Sequence, residues 1–193
     1  MVTDDKNTAL EALERLKAGN AEYLNSKTGC GDVSPEKRAS TCKYGQKPYA
    51  VIVGCADSRV IPEYIFSAGI GELFVVRVAG NVIDSHQLGS IEYATEHLGC
   101  KLVVVLGHTQ CGAVGASFNE NRGHVKFITD EIRRAIGDER DAEKACILNV
   151  KQSVEKIKRT IKSTDGLIVT GALYRTESGF ADFELKIYTE FGF

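Results

Sequence analysis

Two short segments of this chain carry side chains that together can do chemistry: Cys55-Ala56-Asp57-Ser58-Arg59 and Gly107-His108-Thr109-Gln110-Cys111-Gly112. Two thiols and one imidazole are a ligand set that zinc accepts. Three protein ligands leave the fourth tetrahedral position open, which marks a catalytic rather than a structural ion. Such an ion lowers the pKa of bound water from about 15.7 towards about 7, so zinc-bound hydroxide is available at neutral pH to attack an electrophile. Two thiolates donate more charge than imidazoles, so this ion acidifies water less than an all-histidine site. Side chains alternate along extended backbone, so Cys55, Asp57 and Arg59 are expected on one side of the chain. There Asp57 accepts a hydrogen bond from the hydroxide, and Arg59 holds Asp57 ionised through a two-pronged pair. His108 and Cys111, three apart, are expected on the first turn of a helix, with Gly107 and Gly112 permitting a tight turn.

These segments need elements to position them. Four runs dominated by β-branched residues, 49–54, 73–78, 102–106 and 167–170, read as strands. They are continuous rather than alternating, which suits a parallel sheet covered on both faces. Between them lie helical patterns over 87–98, with Leu88, Ile91, Ala94 and Leu98 inward, and over 141–162, with Ile147, Val150, Val154, Ile157 and Ile161 on one side. That alternation predicts an open α/β sheet with helices on both faces. Both motifs then fall at carboxyl ends of strands, where such sheets bind ligands. A turn at 177–179 and the alternating Phe183, Leu185 and Ile187 predict a hairpin that adds an antiparallel edge strand. At the front, Thr8 and Glu11 form a capping box for an amphipathic helix reaching about residue 25, whose apolar face is expected to cover a partner subunit. Residues 26–48 read as a loop. One domain over 1–193 is expected, with 1–45 as an N-terminal helical arm and loop.

The 24 basic and 26 acidic side chains leave a net charge of −2 and are interspersed, so nothing favours a nucleic-acid backbone or an anionic membrane. The N-terminus lacks an apolar core of signal-peptide length, so a soluble, cytoplasmic protein is expected. The six cysteines lack the regular spacing of a disulfide scaffold. Cys30, Cys42, Cys100 and Cys146 read as packed or exposed thiols. His86, His97 and His124 read as surface or core residues, and none is assigned as a proton shuttle. The lysine-rich stretch 151–162 reads as a solvated face.

With C-x-D-S-R at 55–59 and G-H-x-x-C-G at 107–112 in this order, the chain resembles the β-class carbonic anhydrases. The likeness extends to GELFVVRVAGN (71–81), SIEYA (90–94), FITDEIRRAIGDE (127–139) and GALYRTESG (171–179). It implies one zinc per chain on Cys55, His108 and Cys111, with Asp57 and Arg59 as the dyad beside it, and reversible hydration of carbon dioxide to bicarbonate and a proton. In the plant-like branch a glutamine, a phenylalanine and a tyrosine line the substrate pocket, and Gln46, Phe74 and Tyr93 stand at the matching positions. Val60 is expected to add to the apolar lining. The resemblance also implies a homodimer or higher even oligomer with the active site at the dimer interface. The other branch has a tryptophan three residues before the first ligand and can swing its aspartate onto zinc. Here Ile52 stands in that place and the chain has no Trp, so the open form, with Asp57 paired to Arg59, is expected.

Two rival functions share part of this pattern. One is a hydrolase of carbonyl sulfide or carbon disulfide on the same scaffold, since zinc hydroxide attacks those linear molecules too. The other is a non-catalytic protein whose zinc staples the fold. Against the second, the ligands are three rather than four and lie beside a carboxylate.

Overall fold

A computed structural model describes residues 9–26, 31–161 and 166–185. In chain order these form α1 (Ala9–Asn25), α2 (Pro35–Tyr44), β1 (Ala50–Gly54), α3 (Pro62–Ile65), β2 (Leu73–Arg77), a 3-10 turn at Ala79–Asn81, α4 (Ser85–Glu96), β3 (Leu102–His108), α5 (Gly112–Ser117), α6 (Val125–Ile136), α7 (Ala142–Thr160), β4 (Ile168–Tyr174) and β5 (Ala181–Asp182). The sheet order is β2-β1-β3-β4-β5. The first four strands run parallel and β5 is antiparallel to β4, the architecture that the alternation of apolar runs predicts.

Every residue of β1 and β3 is buried, because both faces of the sheet are covered. Ala50, Ile52, Leu102, Val104 and Leu106 pack on one face with Ala12 and Leu16 of α1 and with Ile65 and Phe66 at α3. Val51, Val53, Val103 and Val105 point the other way, onto Ile91 and Ala94 of α4 and Val150, Val154 and Ile157 of α7. A third cluster, capped by Val114, Ile132, Ile136 and Ala145, closes the core beyond the carboxyl ends of the strands. β1 has β2 on one side and β3 on the other, so the connections leave it in opposite directions and a crevice opens between the ends of β1 and β3.

Four expectations need correction. The apolar face of α1 lies on its own sheet, with Ala9, Ala12, Leu16 and Asn20 buried while Leu10 and Leu24 face outward. The buried Asn20 amide secures it, donating to the carbonyls of Ile65 and Gly179 and accepting from the Ala181 N–H at 2.9 Å. The stretch read as a loop contains α2, started by the Ser34 side chain accepting from the Lys37 N–H and by Pro35 at its first position. β5 ends at Asp182, whose carboxylate accepts from the Glu184 N–H and turns the chain. Phe183 therefore packs with the α1 face, and Leu185 reaches the opposite face. Finally, Lys156 leaves the solvated lysine face of α7 and pairs with Glu131. Thr8, Cys30 and Ile187 lie outside the described residues. No helix among those described is long and apolar enough to cross a membrane.

α7 approaches the sheet through a notch made by two glycines. A Cβ at Gly107 would stand 2.4 Å from Val150 Cγ2, and one at Gly171 would stand 2.5 Å from Val150 Cγ1. Overfilling such a contact costs about 1–3 kcal/mol. Gly171→Ala is therefore expected to lower unfolding stability by about that amount in urea. The double variant Gly171→Ala/Val150→Ala should lose less than the two single losses added, which a double-mutant cycle measures.

Candidate metal centre

Cys55 is the first residue after β1, and the chain does not stay extended beyond it. The Val60 N–H donates to the Asp57 carbonyl at 3.0 Å, closing a turn that folds Arg59 back on Asp57. Arg59 Nε donates to Asp57 Oδ1 at 3.0 Å and Nη2 to Oδ2 at 2.8 Å, while the Arg59 backbone N–H adds a third bond to Oδ1 at 2.9 Å. The turn, rather than the alternation of an extended strand, thus brings these two groups together. Arg59 Nη2 also donates to the Gln110 carbonyl at 3.1 Å, joining the two motif segments. From β2, Arg77 donates to the carbonyls of Cys55 at 2.9 Å and Asp57 at 2.7 Å.

His108 is the last residue of β3, and Cys111 is the N-cap of α5, so the two do not share a helical turn. They meet because Gln110, at φ +56°, reverses the chain between them. Gly107 sits within the strand, where it admits Val150 rather than making a turn. His108 Nδ1 donates to the Thr109 carbonyl at 2.9 Å, which fixes the tautomer and turns Nε2 inward as a bare ligand atom. The Thr109 hydroxyl accepts from the Thr176 N–H at 3.0 Å and donates to Glu177 at 3.1 Å, tying this loop to the C-terminal hairpin.

Cys55, His108 and Cys111 are all buried, and their sulfur and nitrogen atoms lie within 4.8 Å of one another. His108 Nε2, completely buried, has no hydrogen-bond partner among the described residues. An orphaned imidazole nitrogen facing two sulfurs fits a divalent cation, which would satisfy all three at once. Cys55 Sγ accepts backbone N–H bonds from Gly80 at 3.2 Å and Asp57 at 3.4 Å. The Cys111 thiol bonded to Cys55 pulls the Cys55 pKa well down, against the opposing effect of burial. The neighbouring Cys55 sulfur and its own burial drive Cys111 up. A bound dication would hold both sulfurs as thiolates. The Arg59 hydrogen bonds hold the Asp57 carboxyl far below the usual carboxylate range, although partial burial opposes them. The ionised Asp57 Oδ2 lies 3.9 Å from His108 Nε2, on the rim of the same space.

The remaining candidate side chains do not line the space between the thiols. Val60 is fully buried among the residues under α1. Phe74 pairs with Val51 at the entry end of the sheet, four residues before Cys55, or about 13 Å at strand spacing. Tyr93 on α4 packs against Phe74 with ring centroids 6.2 Å apart and lies tilted in turn against His97. Gln46 is exposed in the loop before β1. Within one chain these three stand far from the thiols. Burial pushes Cys100 and Cys146 up to about 11, so both remain packed thiols, and neither belongs to the group that could hold an ion. Arg77, Gly80 and Gln110 were not singled out by the motifs. The last two act through backbone atoms, which no side-chain pattern records.

Comparison with known proteins agrees with this geometry. Residues 50–181 match the family described as carbonic anhydrase. The chain is 53% identical over 126 residues to carbonic anhydrase 2 of Mycobacterium tuberculosis, a match covering 64% of this chain and 60% of that protein. The match therefore spans about three fifths of that relative's length. Among solved structures, a Coccomyxa β-carbonic anhydrase in complex with acetazolamide aligns at a TM-score of 0.65 and 26% identity, covering 79% of this chain and 86% of that one. One of two tetrameric β-carbonic anhydrases from Sordaria macrospora aligns at 0.67 and 25% identity, covering 77% and 86%. With a family match over most of its length and this sheet order, the chain belongs to the carbonic anhydrase family, in its β class.

Proposed function

We propose that the chain catalyses the reversible hydration of carbon dioxide to bicarbonate and a proton, using one zinc ion held by Cys55, His108 and Cys111. The observation that supports this reading is the convergence of two sulfurs and a bare imidazole nitrogen on one buried point beside an ionised carboxylate. When bound, zinc supplies a Lewis-acidic position at which water ionises near neutral pH.

The chain's own residues do the rest. Asp57, kept ionised, is an acceptor only, so it orients the proton of the attacking oxygen and leaves a lone pair directed at the carbon. Arg59 and the Arg59 N–H occupy part of the carboxylate's accepting capacity and fix its plane. This arrangement supports the open, plant-like form, with Asp57 held by Arg59 rather than bound to the ion. Carbon dioxide is small and apolar and needs an apolar wall with one polar contact. Phe74 and Tyr93 supply such a wall and Gln46 an amide donor, but they stand at the wrong end of their own sheet. We therefore infer a homodimer, or a higher even oligomer, in which these three residues of one copy complete the site of the other.

For the unaltered protein, metal analysis should find about one zinc per chain together with fast hydration of carbon dioxide. Asp57→Asn should keep the zinc and lose at least about 100-fold in hydration, the scale of a positioned acid–base group. His108→Ala should lose the zinc itself. Zinc without hydration, or faster turnover of carbonyl sulfide or carbon disulfide, would overturn the assignment. The shared site is tested by mixing two inactive variants, Asp57→Asn and Gln46→Ala. Random pairing across a two-fold axis leaves one intact site in each mixed dimer, so about a quarter of full activity should return. No recovery would place both residues in one chain's site.

A further inference from the structure

The 3-10 turn that follows β2 is bent by two consecutive left-handed residues, Gly80 at φ +68° and Asn81 at φ +45°. A side chain at Gly80 would be strained by its φ of +68° and would displace Ile132, whose Cδ1 stands 2.7 Å from the place of a Cβ. The bend directs the Gly80 N–H at Cys55 Sγ, 3.2 Å away. It also leaves the carbonyls of residues 80, 81 and 83 outside any strand ladder, and buried carbonyls need donors. α7 supplies them from one stripe. Asn149 Nδ2 donates to the Gly80 carbonyl at 2.7 Å, the Ser153 hydroxyl to the Asn81 carbonyl at 3.2 Å, and Lys156 Nζ to the Ile83 carbonyl at 2.6 Å. Residues 149, 153 and 156 share one helix face. Asn149 is only 2% exposed, in a helix whose neighbouring buried positions are mostly apolar, so its amide is spent on this one peptide.

We propose that Asn149 is a positioning residue for the metal centre. By gripping the Gly80 carbonyl it fixes the orientation of the peptide that follows and the seat of the turn, so that the Gly80 N–H stays aimed at Cys55 Sγ. A hydrogen bond to a ligand sulfur withdraws electron density from it and weakens its donation to the ion, a lever that matters where two of three ligands are thiolates. Asn149 thus sets how strongly Cys55 donates, without touching the ion or the substrate. This rests on the zinc reading above.

The test uses the whole chain loaded with cadmium-113 or with cobalt(II). In the unaltered protein the Gly80 amide proton should show scalar coupling to cadmium through the N–H···S bond. Asn149→Leu, which keeps the volume and removes the donor, should lose that coupling and shift the sulfur-to-cobalt charge-transfer band to longer wavelength. Ser153→Ala, which removes the next rung of the same stripe, should lower the melting temperature and leave both signals unchanged. Should Asn149→Leu fail to fold, Asn149→Ser carries the same readouts with a smaller disturbance. Uptake of cadmium at Cys55 and His108 with no Gly80 coupling, or Asn149 variants that lose stability while coupling and band stay put, would overturn this inference alone. No stoichiometric metal uptake would remove the zinc reading with it.

Discussion

Two sulfurs and an imidazole nitrogen, crowded within 4.8 Å of one another in a buried pocket, are the constraint around which the rest of this fold is arranged. Left alone, such a group is unfavourable, because burial penalises any charge on the thiols and the ring nitrogen has no hydrogen-bond partner among the described residues. The protein offsets this with fixed hydrogen-bond partners. Backbone N–H groups point at Cys55, and a carbonyl turns the ring of His108. Each of these partners belongs to a segment that is itself anchored elsewhere, by Arg77 from β2, by Thr176 from the C-terminal hairpin, and by α7.

The carboxylate beside the metal-ligating group is held by a different logic. Asp57 is near enough to the surface for its pair with Arg59 to be partly screened, so its strength lies in geometry more than in charge. A planar fork meets a planar carboxylate along two parallel bonds, and the spare nitrogen bond goes to the opposite loop. The orientation of Asp57 is thereby linked to the position of Gln110, and through it to the reversal that separates His108 from Cys111.

Much of this was legible in the residues. The β-branched runs gave the strands, because a strand covered on both faces needs an apolar residue at every position. The grouping of Cys55, His108 and Cys111 and the pairing of Asp57 with Arg59 were legible because both motifs stood at strand ends. What escaped reading has identifiable causes. α2 has no buried residue, so no apolar period marks it, and only Ser34 and Pro35 announce its start. The reversal at Gln110 depends on a left-handed residue that is not glycine, for which sequence offers little signal. The glycine at 107 looked like a turn residue and proved to be a packing notch, because its partner Val150 lies far along the chain. The polar stripe of α7 was hidden inside a helix whose lysines otherwise face water.

The span between the ligands has its own consequence. Cys55 and His108 are separated by a whole crossover of the chain, roughly fifty residues, whose ends an unfolded polymer rarely brings together. Arg59 can latch onto the Gln110 carbonyl only after β1 and β3 have paired and both loops have formed. An ion arriving early therefore finds single sulfurs, each a weak host, whereas one arriving late finds all three atoms in place. On the zinc reading proposed above, firm capture of the ion would be a checkpoint on assembly: a chain that held its metal tightly would already have built the middle of its sheet.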